Sequence, residues 1–317
     1  MERNKRSVKD TYKSKDTEEW LDIWFTRPLG YIFAKFFNAL HVHPNAVTLL
    51  SMAIGAFGGF CFYFGELNWS IAGVCSMIFA NILDSTDGQL ARMSGKSSLW
   101  GRILDGFAGD VWFFAMYLAI VLRLTPQNIS LAPLPVEFDV RWGVWIWVAF
   151  FISGVLCHKP QVELSDYHRN VYLWFQSGKG EITDSKTVND SVNETSFRTR
   201  FLWKWAMIFY RSYTRRQEKQ TPHFQTLFNM VKQRYGNDLP QTLRDDFCTA
   251  AKPILFWDNV ITFNARIIVM YISVLIGAEW IYLLFEICVM SLIWIIIRIK
   301  HENICKRIAN GIIQGKY

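Results

Sequence analysis

The 317 residues are 51% hydrophobic and 16% aromatic, with 14 Trp. That apolar share suits a polytopic membrane protein with sizeable polar segments, and a net charge of +7 without a basic stripe leaves no call for nucleic acid as a partner. Cys61, Cys75, Cys157, Cys248, Cys288 and Cys305 are scattered, mostly through apolar runs; no pair has metal-ligand spacing and no disulfide framework is visible, so they read as small core residues.

Residues 1–20 alternate basic and acidic side chains and lack the apolar core of a signal peptide. They are expected to be a solvated cytoplasmic segment. Residues 19–40 hold Trp20, Trp24, Phe25, Phe33, Phe36 and Phe37, interrupted by Arg27 and Lys35. That is too charged to span a membrane but suits helices lying in its interface. His41 to Asn45 form a break, with Asn45 as cap of the next helix. His41 and His43 have no third ligand nearby and read as interfacial histidines. Residues 46–64 predict a first span, rich in small residues that favour close helix packing. Residues 65–68 turn, and 69–83 return as the second span. Residues 93–99 predict a polar loop, 100–122 a third span, 125–139 a Pro-rich loop and 142–157 a short, Trp-rich fourth span.

Residues 158–258 contain no uninterrupted run long enough to span. The Gly178-Lys179-Gly180 triplet lacks the rest of a phosphate-binding loop. The sequon at Asn193 falls in a segment expected to be cytoplasmic and is discounted. Residues 197–216 put about ten apolar residues between cationic ends, the pattern of an interfacial or re-entrant helix. Residues 224–247 look helical, with a break near Gly236 and Pro240. Spans five and six are expected at 260–277 and 279–297. The fold class is therefore all-α: a polytopic membrane protein with six transmembrane helices plus interfacial helices. Four segments follow: 1–45 cytoplasmic and interfacial; 46–158 the first four spans; 159–258 an insert that shapes a substrate site or binds a second copy of the chain as a homodimer; 259–317 the last two spans and a basic tail. With six spans both termini share one side, and the basic loops gather there, which makes it cytoplasmic.

The chemistry lies in residues 81–110, NILDSTDGQLARMSGKSSLWGRILDGFAGD. Asp84 and Asp87 are three apart and share a helix face. Gly101 and Asp105 are four apart on the next helix. Three acids can thus enter one small volume, where they repel unless a cation neutralises them, and all-oxygen ligands suit Mg²⁺ or Mn²⁺. Arg92 offers a fixed planar cation to phosphate. Gly88 and Gly101 leave room at the backbone. Lys96 and Arg102 flank the acids, where they bind an anionic acceptor or mark the cytoplasmic side.

Asp84, Asp87, Gly88, Ala91, Arg92, Gly101 and Asp105 fall at their places in the pattern D-x2-D-G-x2-A-R-x8-G-x3-D-x3-D. On those seven positions the stretch resembles the signature of the CDP-alcohol phosphotransferase family. The resemblance directly covers residues 84–105. It implies that Asp84, Asp87 and Asp105 hold one or two divalent cations, and that Asp84, Gly88, Ala91, Arg92 and Gly101 form the CDP pocket. It further implies transfer of a substituted phosphate from a CDP-linked donor to a hydroxyl acceptor, within a lipid membrane and with release of CMP. The family's last Asp, a metal ligand and base, belongs at residue 109, where this chain has Gly; the acid stands at Asp110. On a regular helix Asp110 is turned about 140° from Asp105. A single π-bulge, eased by Gly106 and Gly109, would bring it back as fourth ligand and as base beside Asp105.

CDP-diacylglycerol with an inositol, inositol phosphate or glycerol phosphate acceptor is the preferred substrate pair. The alternative is transfer from CDP-ethanolamine or CDP-choline to diacylglycerol or ceramide. Two rivals stand beside the enzyme: a cation transporter using the acids as an ion site, and a non-catalytic relative of the family.

Overall fold

A computed structural model of the chain describes residues 19–178, 180, 182–194, 201–236 and 238–317, with the side chains of Leu99, Glu194 and Leu202 excepted. The charged segment 1–18, Lys179 of the glycine-flanked triplet, Thr195 of the sequon and residues 197–200 lie outside the described residues. The regular structure of the described chain is helical, mostly α with three π-helical segments, apart from one hairpin. Six helical stretches are long and apolar enough to cross a membrane: Pro44–Cys61, Leu67–Ser94, Trp100–Leu124, Gly143–Ser177, Gln241–Leu275 and Glu279–Ile313. The chain divides into two compact units, Met1–Gly154 with Ile267–Phe285, and Val155–Arg266 with Glu286–Tyr317.

In the first unit, a π-helical turn Asp22–Thr26 leads into α1 (Arg27–Ala39). Helices α2 (Pro44–Cys61), α3 (Leu67–Ser94) and α4 (Leu99–Leu124) follow. Helix α2 starts with Pro at its first position, where the missing N–H costs nothing. Its cap is the His43 ring, whose Nδ1 accepts from Asn45 N at 3.2 Å; Asn45 was the expected cap. Glycines set the spacing of α2 against its neighbours. A Cβ at Gly58 would stand 2.9 Å from Gly73 O on α3, and one at Gly59 2.6 Å from Met116 N on α4. Only residues without side chains permit such backbone contact. Trp112 Nε1 on α4 donates to Ser51 O on α2 at 3.0 Å, which satisfies the buried indole N–H.

Helix α1 packs on α3 through Ala34, Leu83 and Leu90, while Ile32 and Phe36 stay exposed. Gln89 Nε2 on α3 donates to Arg27 O at 3.0 Å. The loop after α4 is more ordered than its prolines suggest. It forms an antiparallel hairpin of β1 (Asn128–Ser130) and β2 (Glu137–Arg141), and Trp280 Nε1 donates to Ala132 O at 2.9 Å.

The fourth stretch comprises α5 (Gly143–Phe151), a π-helical segment Ile152–His158 and α6 (Lys159–Ser177). Helices α7 (Ser185–Glu194), α8 (Phe201–Gln220), α9 (Pro222–Tyr235) and α10 (Gln241–Val260) follow. After α11 (Phe263–Leu275) and α12 (Glu279–Leu284), a second π-helical segment Phe285–Met290 leads into α13 (Ser291–Ile313). The fourth, fifth and sixth stretches thus extend well beyond the spans read from hydropathy. The extensions are amphipathic. In α13 the apolar run ends at Ile297, yet His301, Cys305, Ile308 and Ile312 remain buried in the second unit. Its core gathers Val171, Phe175, Phe224, Phe247, Cys305 and Ile308 from α6, α9, α10 and α13. Residues 159–258 are therefore helices of a bundle, and its last wall is a helix from the C-terminal segment.

Candidate active site

Helix α3 has 28 residues, roughly 42 Å of helix at 1.5 Å per residue. A bilayer core is only about 30 Å thick. Asp84 comes about 26 Å along α3, past its midpoint. The helix runs without a break through the motif to Ser94. Gly95 then ends it in the left-handed region at φ +68°, a conformation that favours Gly. Helix α4 restarts at once, with the Ser98 hydroxyl accepting from Gly101 N at 3.0 Å. The tight return aims the start of α4 at the end of α3.

Asp84 and Asp87 from α3 and Asp105 from α4 consequently offer carboxylate oxygens that all lie within 4.8 Å of one another. Asp87 is buried, Asp84 half-buried and Asp105 exposed, which grades the cluster from interior to surface. Asp84 Oδ1 and Asp87 Oδ2 are buried and accept no hydrogen bond among the described residues. Orphaned carboxylate oxygens are costly. Together with three acids in one volume they fit a hard divalent cation, which oxygen ligands would hold.

The Arg92 guanidinium lies against Gly88: a Cβ there would stand 3.6 Å from Nη1 and 3.7 Å from Nη2. A Cβ at Gly101 would stand 3.2 Å from Asn45 Oδ1 and 3.2 Å from Ser98 Oγ, so a side chain would press on both. Both glycines keep polar groups close to the backbone. Ala91 is half-buried, one turn below the exposed Lys96 and Gly95; Arg102 is exposed. Two further side chains reach the cluster. The Thr48 hydroxyl of α2 faces the Asp87 carboxylate, and the Arg27 charge of α1 acts on Asp84. Neither carries a sequence signal, because each is brought in by a helix distant along the chain.

The structure brings Asp84, Asp87 and Asp105 together and does not add Asp110 to them. Helix α4 is regular α-helix from Leu99 to Leu124, without the π-bulge that would turn Asp110 inward. Asp110 is exposed. The π-helical segments of the described chain lie elsewhere, at Asp22–Thr26, Ile152–His158 and Phe285–Met290.

Comparison with known proteins bears on the same stretch. Residues 41–160 match the family model described as CDP-alcohol phosphatidyltransferase. A protein of Archaeoglobus fulgidus named bifunctional IPC transferase and DIPP synthase is 35% identical over 91 residues, covering 29% of this chain and 18% of that protein. A phosphatidylinositol phosphate synthase of Streptomyces avermitilis is 37% identical over 83 residues, 26% of this chain and 32% of that protein. The chain thus spans less than a third of the length of either relative. No solved structure matches it. The acid cluster, Arg92 and both motif glycines fall inside the matched residues, and the chain therefore carries a CDP-alcohol phosphatidyltransferase domain at residues 41–160.

Proposed function

We propose that the chain is an integral membrane phosphotransferase of phospholipid synthesis that moves a substituted phosphate from a CDP-linked donor to a hydroxyl acceptor. The observation that carries this reading is the convergence of Asp84, Asp87 and Asp105 within 4.8 Å, with the Arg92 guanidinium against Gly88 next to them. The acceptor oxygen bonds to the phosphorus that bears the donor's alcohol. The phosphoanhydride bond to CMP breaks, and CMP leaves with the bridging oxygen and its charge. Arg92 contacts the donor phosphates, and Gly88, Ala91 and Gly101 leave the CDP moiety close access to the backbone. Asp105, the exposed acid of the three, takes the acceptor's proton. A Mg²⁺ or Mn²⁺ held by Asp84, Asp87 and Asp105 would neutralise charge on the pyrophosphate and on the departing CMP.

CDP-diacylglycerol is the preferred donor, and an inositol phosphate type of alcohol the preferred acceptor. The name of the Streptomyces avermitilis relative supports this pair, as do the exposed cations Lys96 and Arg102 at the motif. The gathering of basic loops on one side supports a site that faces the cytoplasm.

The test supplies the purified chain with labelled CDP-diacylglycerol and inositol phosphate, inositol or glycerol phosphate. Parallel reactions take CDP-ethanolamine or CDP-choline with diacylglycerol or ceramide. Lipid product and CMP in the first set, dependent on added divalent cation, are expected. Product in the second set alone would replace the substrate pair. Cation flux through liposomes without nucleotide, and no CMP from any donor, would replace the enzyme with a transporter.

A further inference from the structure

The second unit holds another set of metal-ligating side chains, of a different chemistry. Helix α13 carries His301, Glu302 and Cys305, all buried. His301 and Cys305 are one helical turn apart and share a face. His301 Nδ1 lies 3.7 Å from Cys305 Sγ and 3.9 Å from Glu302 Oε1, and one ligand atom from each residue lies within 4.8 Å of the others. Around a tetrahedral zinc, with bonds of about 2.0 Å to nitrogen and oxygen and about 2.3 Å to sulfur, neighbouring ligand atoms stand about 3.5 Å apart. Measured from His301 Nδ1, the Cys305 and Glu302 donors need close only by a few tenths of an ångström, and the third pair lies within 4.8 Å.

The surroundings hold these donors on one side and leave them wanting on another. The Glu302 carboxylate accepts the backbone N–H of His223 at 2.6 Å and of Phe224 at 3.3 Å, at the start of α9. The His168 ring of α6 stacks on His301 with centroids 3.8 Å apart, and its Nδ1 stands 3.0 Å from Asp258 Oδ1 on α10. Three further polar atoms of this cluster, His301 Nε2, His168 Nε2 and Asp258 Oδ2, are buried without a hydrogen-bond partner among the described residues. A buried polar atom left unsatisfied is costly, so the cluster is poorly explained as a closed polar network. A cation on Nδ1 fixes the His301 tautomer with its proton on Nε2. The Asp258 charge acts on that ring.

We propose that His301, Glu302 and Cys305 form a second metal site, for a borderline-soft divalent ion of the zinc class, separate from the oxygen-only cluster of Asp84, Asp87 and Asp105. Thiolate, imidazole and carboxylate donors select such an ion over Mg²⁺. Three protein ligands leave a fourth position for water. The role is to fasten α13 in its bundle, because Glu302 also holds the start of α9 and His301 packs on α6. The proposal does not depend on the phosphotransfer reading.

The test uses the full chain purified in detergent. After a wash with a mild chelator that strips weakly held ions, elemental mass spectrometry is expected to find about one zinc per chain. Reloading with Co²⁺ is expected to give a thiolate-to-metal charge-transfer band in the near ultraviolet. That band should vanish in Cys305→Ser and in His301→Gln, and should persist in Asp84→Asn, whose lost carboxylate belongs to the other cluster. Zinc far below one per chain together with no charge-transfer band in the unaltered chain overturns the site, whether or not the variants fold. A band that survives Cys305→Ser comes from one of the other five thiols and overturns it equally.

Discussion

In the first unit, Asp84, Asp87 and Asp105 bring three like charges within 4.8 Å of one another. In the second unit each buried acid faces an opposite charge or an imidazole. Glu163 takes a two-pronged contact from Arg216 at 2.7 and 2.5 Å, Glu286 lies 3.2 Å from the Arg266 Nε, and Asp258 meets His168. Two carboxylates at the first spacing repel by roughly 3 kcal/mol at an effective dielectric constant of about 20, and by less where water reaches the exposed Asp105. A cation from outside would relieve that repulsion, which is how a ligand site differs from an internal pair. The Glu163–Arg216 and Glu286–Arg266 pairs of the second unit balance their charges internally, so they belong to folding. Substitution should therefore separate the two regions: changes in the first cost turnover, and changes in the second cost stability.

The largest expected effect is on turnover. Asp84→Asn or Asp87→Asn removes a ligand charge while keeping the shape of the side chain. Groups that merely orient a metal ligand are worth 10–100-fold, so a direct ligand should cost at least about 100-fold in rate at limiting Mg²⁺. Thermal unfolding of the purified protein should be unchanged or slightly improved, because one repulsion is gone. Near-normal rates would remove the cluster from the chemistry.

The converse change is Arg266→Met. Arg266 is fully buried and also donates to Gln161 Oε1 at 2.8 Å and to Ile261 O at 3.0 Å. Its loss leaves Glu286 buried without that counter-charge, which should destabilise the fold by about 3–5 kcal/mol. The measurement is detergent-solubilised thermal unfolding, together with turnover per folded molecule. If folded molecules of this variant lost turnover as completely as Asp87→Asn, the division of labour between the regions would be wrong.

Arg92→Ala is expected to be milder. It removes a charge-assisted phosphate contact worth about 1.5–3 kcal/mol, or roughly 10–100-fold in donor affinity. Binding of labelled CDP-diacylglycerol should weaken by that factor, whereas acceptor affinity should not change. Equal donor affinity in the variant would take Arg92 out of the CDP pocket.

The same contrast explains what the sequence could and could not disclose. The acid cluster is legible because its three carboxylates sit at fixed spacing on two consecutive helices, and helical periodicity converts spacing into direction. Thr48 and Arg27 were not readable as neighbours of those acids, since their approach depends on how α2 and α1 pack on α3. The second unit was the least legible. Its core joins Tyr167 to Ile312 across distant helices, and its extensions beyond the spans are amphipathic, so hydropathy reports where a span ends and says little about where the helix ends. Cys305 is the small core residue that its apolar surroundings predict, fully buried in the second unit's core. The pair on which the proposed second site rests is Cys305 with His301, one turn away on the same helix.

The smallest expected effect is at Asp110, and there the sequence and the structure divide most sharply. The family pattern asks for an acid at residue 109, and only a π-bulge between Asp105 and Asp110 would restore its direction. Helix α4 shows none. In regular geometry Asp110 points about 140° away from Asp105, and the cluster closes with three acids. Asp110→Asn should then keep kcat within a few-fold, while Asp105→Asn, which takes both a ligand charge and the proton acceptor, should abolish it. Gly109→Asp sharpens the comparison. No atom comes within 4 Å of a Cβ placed at Gly109, so the new side chain fits, and four residues after Asp105 it lies on the same face, about 40° away. It should raise activity or divalent-cation affinity in the otherwise unchanged chain. Should Asp110→Asn instead lose turnover as Asp105→Asn does, with donor binding intact, the working enzyme would have to bend α4 during catalysis, and Asp110 would be the base after all.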